Sequence, residues 1–69
     1  MKKRSVLVSG HPTSVTLEEE FWDALRVIAE RRGQSLNQII TTIDAGRRGS
    51  NLSSAIRVFV LKSVTEAAG

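Results

Sequence analysis

Only Gly33-Gln34-Ser35 separates two amphipathic stripes, and this spacing constrains the fold more than any other feature of the chain. Ahead of it, Phe21, Leu25, Ile28 and Ala29, with Trp22 beside them, recur at intervals of three and four residues. That period predicts an amphipathic helix over residues 18–32. Thr16 and Glu19 have the form of a capping box at its start, and Gly33 after Arg31 and Arg32 supplies a left-handed residue at its end. Behind the turn, Leu36, Ile39, Ile40 and Ile43 repeat the helical stripe, with Ser35 and Gln38 as a second capping box. So short a connection predicts a tight helical pair whose apolar stripes share one core.

That core is thin, since a chain of 69 residues buries only about 60% of the surface it exposes when unfolded. There is no Cys, and His11 is the single His, so neither disulfides nor a structural metal is expected to reinforce it. Oligomerisation is the remedy left open. After the break at residues 46–51, Leu52, Ala55, Ile56, Phe59 and Val60 predict a third helix to about Val64, capped by Ser50 or Asn51. This helix is expected to cover the core or to build a larger assembly, and residues 66–69 are expected to fray.

Before the first helix the period changes. Residues 5–9, Ser-Val-Leu-Val-Ser, form one candidate strand, ended by turn chemistry in Gly10-His11-Pro12, where His11 reads as a turn residue. Residues 13–17 form the better strand, with Thr13, Val15 and Leu17 on one side and Ser14 and Thr16 on the other. Lys2, Lys3 and Arg4 precede the first acid, Glu18, and read as a basic arm within a net charge of +3. Glu18, Glu19, Glu20 and Asp23 instead cluster where a helix dipole favours negative charge. The apolar stretch Val6 to Val8 is too short for a signal peptide, and no run reaches membrane-spanning length.

The order strand, helix, Gly33-Gln34-Ser35-Leu36-Asn37 turn and helix resembles the ribbon-helix-helix superfamily of Arc- and MetJ-type repressors. Lys3-Arg4-Ser5-Val6, Gly10-His11, Thr13-Ser14-Val15, Glu19-Glu20-Phe21-Trp22 and the stretch Asn51 to Phe59 look like a bacterial ribbon-helix-helix subfamily of poorly defined function. The resemblance implies a mainly helical, intertwined homodimer with a short β-ribbon, here with an additional N-terminal strand and a third C-terminal helix. Residues 1–12 then form the basic arm with the extra strand, residues 13–46 the ribbon-helix-helix core, and residues 47–69 the linker and third helix. It further implies duplex DNA as partner, with the ribbon in the major groove of a transcriptional repressor or autoregulator. Ser14 and Thr16 match the base-reading positions. Gln34, Ser35, Leu36 and Asn37 match the phosphate anchor at the second helix start, where free N–H groups and the dipole attract anions. Lys2, Lys3 and Arg4 would clamp the flanking backbone, with Arg47 and Arg48 as further candidates. Val15, Leu17, Trp22, Leu25, Ile28, Leu36, Ile39, Ile40 and Ile43 would form the dimer core.

Two expectations compete with this one. If residues 5–9 fold back beside residues 13–17, a dimer presents four strands, too wide for the groove edgewise. Thr16 is claimed both as base contact and as helix cap. The spacing of Phe21 and Trp22 points to the core rather than to base stacking. With one His and no Gly-rich phosphate loop, nothing assembles a nucleophile and base, so no enzyme, cofactor or metal is expected. A cytoplasmic regulator is the leading expectation. The alternative is a protein-interaction or antitoxin-like module whose third helix takes a protein partner.

Overall fold

Ser9 and Gly10 have consecutive positive φ angles of 51° and 82°, which suit a two-residue hairpin turn, and they join strand β1 (Lys2–Val8) to strand β2 (His11–Leu17). The computed structural model describes residues 1–47, 49 and 51–68, the last two of these by backbone alone. The strands pair antiparallel from Lys2↔Leu17 through Arg4↔Val15 to Val8↔His11. Residues 5–9 therefore do fold back, and the second strand of the ribbon comes from the same chain.

Three expectations change as a result. The turn is Ser9-Gly10 rather than Gly10-His11-Pro12, because these two residues take the left-handed angles and leave His11 free to pair with Val8. His11 is thus a strand residue. Lys2, Lys3 and Arg4 are strand residues too, not a free arm, since the full length of β2 is available for pairing.

Alternation sets the faces. Val6, Val8, Val15 and Leu17 are buried on one side, whereas the residues between them are exposed. Helices cover the buried side. Helix α1 (Glu19–Arg31) begins after Glu18, whose carbonyl accepts from the Phe21 and Trp22 amides at 3.0 and 3.2 Å, and no side chain caps it. Thr16 is therefore not the cap: β2 runs on to Leu17, which keeps Thr16 extended and paired with Lys3, two residues short of the capping position. At the other end, Gly33 at φ 67° lets its own N–H reach the Glu30 carbonyl at 3.1 Å and that of Gln34 reach the Ala29 carbonyl at 2.9 Å. These are the paired bonds of a Schellman ending.

Helix α2 (Leu36–Gly46) starts on the expected capping box, with the Gln38 N–H on Ser35 Oγ at 3.1 Å and the Ser35 N–H on Gln38 Oε1 at 2.8 Å. Helix α3 (Leu52–Ala68) is capped by Asn51, whose Oδ1 accepts from the Ser54 N–H at 2.8 Å. Ser50, the other candidate cap, lies outside the described residues. The helix continues past Val64 through Glu66 to Ala68, in keeping with the good helix formers there, and Gly69 lies outside the described residues.

Leu17, Leu25, Ile39, Ile40 and Ile56 are fully buried, and Trp22 and Val15 nearly so. Of the nine residues expected in a dimer core, eight are buried inside a single chain and Leu36 packs half-buried against them. Val6 and Val8 from β1 and Leu52, Ile56 and Val60 from α3 complete this core. Glu18 ties the start of α1 to α3 through Arg57 Nε at 3.0 Å.

Gly33→Ala forces a Cβ into a left-handed conformation and is expected to cost about 1–2 kcal/mol. Gly46→Ala, at the end of α2 with open space around it and no positive φ, should stabilise by about 0.4–1 kcal/mol. Urea unfolding midpoints that move in opposite directions check both. Glu18 titrates below the ordinary glutamate range, chiefly because its own backbone N–H bonds the carboxylate and then because Arg57 does. A depressed folded-state value means stability that is present above the unfolded pKa of about 4.3 and is lost as pH falls through the folded one. Glu18→Gln should therefore flatten the acid limb of a stability-against-pH curve.

Candidate nucleic-acid interface

The exposed face of the hairpin is built in three rows. Lys3 lies opposite Thr16, Ser5 opposite Ser14 and Leu7 opposite Pro12, and all six side chains are exposed. The face is thus polar and basic toward the strand ends and apolar at the turn. Pro12 has no N–H to give, so Leu7↔Pro12 is a non-hydrogen-bonded pair, and by alternation so are the other two rows. Such pairs hold their side chains closest together, which sets Ser5 and Ser14 side by side on the outer face.

Ser14 and Thr16 therefore stand on one accessible surface. The structure adds Lys3 and Ser5, which share that surface across the ribbon. Ser5 escaped sequence reading because Ser5-Val6-Leu7-Val8 looks like a continuous apolar run. Leu7 is as apolar as Val6 and Val8, so residue type carries no period-two contrast there, and only the pairing with β2 shows which face Ser5 takes.

Arg4 faces the other way. Its guanidinium lies 5.7 Å from the centre of the Trp22 ring, on the helix-covered side of the hairpin, and its Nε is buried without a hydrogen-bond partner. Trp22 in turn donates its Nε1–H to the Lys2 carbonyl at 2.9 Å. Of the three basic strand residues, Lys2 and Lys3 are exposed and Arg4 is half-buried.

The start of α2 flanks the turn end of β1. Its Leu36 and Asn37 amides make no hydrogen bond among the described residues, because the capping box uses the Gln38 N–H and the Ser35 carbonyl takes that of Ile39. Gln34 is half-buried and Ser35 exposed. The Asn37 side chain is already engaged, its Oδ1 accepting from the Leu7 N–H at 3.1 Å. Leu7, Gly10, Gly33, Gln34 and Asn37 line one shallow groove between ribbon and helix. Arg47 pairs with Asp44 at the far end of α2, and Arg48 lies outside the described residues.

No cluster of three or more His, Cys, Asp or Glu side chains suited to a metal is found among the described residues. Nor is any helix there long and apolar enough to cross a membrane. A family model described as a ribbon-helix-helix domain matches residues 1–64. Searches of curated proteins and of solved structures returned no match.

Proposed function

The chain belongs to the ribbon-helix-helix domain family, whose members generally bind DNA in transcription regulators and are typically not enzymes, and on that footing we propose that it binds duplex DNA as a repressor or autoregulator. The observation that carries the reading is the exposed polar face of the hairpin, with Lys3, Ser5, Ser14 and Thr16 on one two-stranded ribbon. Two strands about 4.8 Å apart fit a major groove about 12 Å wide. Ser14 and Thr16, with Ser5, offer hydroxyls that both donate and accept, so base preference is weak beside that of an Arg or Asn reader. Affinity then rests on phosphate. Lys3 neutralises the backbone from the outer face, Lys2 from the strand end on the pleat side it shares with Arg4, and the start of α2, from Gln34 through Ser35 to Asn37, meets it at the other end of the ribbon.

The reading includes a cytoplasmic homodimer. A partner strand added to β2 gives four strands, which the groove does not admit edgewise, so each hairpin stays two-stranded when bound. The surface then open to a second copy or a protein partner is α3, where Val58, Leu61 and Val64 are 51%, 62% and 47% exposed. That apolar face also favours the second reading, an interaction module in which α3 recruits a protein.

Fluorescence anisotropy with genomic DNA fragments at several salt concentrations separates the two. DNA binding is expected to weaken steeply with salt. Lys2→Ala with Lys3→Ala should make the logarithmic slope shallower by about 0.9 for each phosphate that is no longer neutralised. Absence of binding even at low salt would sink the DNA reading and leave the interaction module.

A further inference from the structure

Asn37 and Thr41 stand one turn apart on α2 and together take up the backbone groups at the turn end of β1. Leu7 faces Pro12, so its N–H and carbonyl point away from the hairpin. Asn37 Oδ1 accepts that N–H at 3.1 Å, and the Thr41 hydroxyl donates to the Leu7 carbonyl at 3.4 Å. The same hydroxyl accepts the Ser9 N–H at 3.3 Å. Two side chains thus do for three backbone groups what a third strand would otherwise do. Farther along the same edge, Lys3 and Ser5 have no comparable side-chain bonds among the described residues.

We infer that Asn37 and Thr41 are positioning residues that hold the outer face of the ribbon and the start of α2 in one fixed relation, so that both engage the same stretch of duplex. The inference rests on the DNA-binding reading above. Its physical ground is direction. Val6 and Val8 pack on the core through contacts that resist separation but have no preferred angle, so the ribbon could slide or tilt over α2 without losing much burial. Hydrogen bonds to Leu7 and Ser9 fix both slide and tilt. The helix residue that makes the first bond, Asn37, also contributes one of the two unbonded amides at the anion-attracting end of α2. The two surfaces that would meet DNA are therefore joined at a single residue, and binding constellations need their parts held to about 0.5 Å.

Thr41 lies one turn farther along α2, half-buried, with its hydroxyl engaged by Leu7 and Ser9, so its substitution tests positioning apart from contact. Thr41→Val keeps the shape and removes the hydroxyl; Thr41→Ser keeps the hydroxyl. The readouts are hydrogen exchange at the Leu7 and Ser9 amides and the ratio of affinities for a duplex selected from random DNA and for an unselected one. Thr41→Val is expected to speed exchange of the Ser9 amide, whose acceptor it removes, and to cut the affinity ratio by about tenfold, the equivalent of one net hydrogen bond, while Thr41→Ser retains both. Asn37→Asp keeps an acceptor for the Leu7 N–H. It should weaken binding to the two duplexes equally and leave the ratio intact. Faster exchange in Thr41→Val with an unchanged ratio overturns the inference and leaves DNA binding standing, as does a ratio lost in Asn37→Asp, which assigns that side chain to direct contact. Wild-type protein that binds neither duplex overturns the DNA reading itself.

Discussion

A two-stranded ribbon has little stability of its own in water, so everything here depends on burying one of its faces. Val6, Val8, Val15 and Leu17 supply that face, and the three helices supply the surface that covers it. The rest of the architecture follows from this need. The tight Gly33-Gln34-Ser35 turn brings two apolar stripes together beneath the ribbon, and α3 closes the remaining side through Leu52, Ile56 and Val60. A chain of 69 residues thereby obtains a contiguous core in which, among the described residues, no polar or charged residue is buried.

The helices were largely legible in the sequence because each carries its own punctuation. Gly33 ends α1 through left-handed geometry, and Ser35 with Gln38 opens α2, both as their residue types require. The strands were less legible. Thr13 to Leu17 alternates openly, but Lys2 to Arg4 carries charge rather than an apolar pattern. Those residues became strand only because β2 offered a backbone to pair with, a condition that lies elsewhere in the chain. Thr16 shows the same limit. Its spacing to Glu19 matches a capping box, yet pairing with Lys3 holds it extended, and tertiary context overrides the local motif.

For the candidate interface, alternation alone placed Ser14 and Thr16 on the outer face. What alternation could not show was which partner strand stands beside them, and therefore that Lys3 and Ser5 complete the surface. The fate of Arg4 was equally hidden, since three consecutive cations look alike until the pleat sends alternate ones to opposite sides. Asn37 fits both a phosphate role and a tie to β1 by residue type, and only the hairpin's position over α2 reveals the bond to Leu7.

Trp22 is the only tryptophan in the chain, and it sits at the seam where the ribbon meets α1. Its ring has the Arg4 guanidinium over it and its indole N–H holds the Lys2 carbonyl, so the environment of this one fluorophore is made by the ribbon itself. The molecule therefore carries a built-in optical gauge. Any event that lifts the strand ends from the helices changes what surrounds the indole, and its emission colour and polarity sensitivity follow that movement without a label being attached.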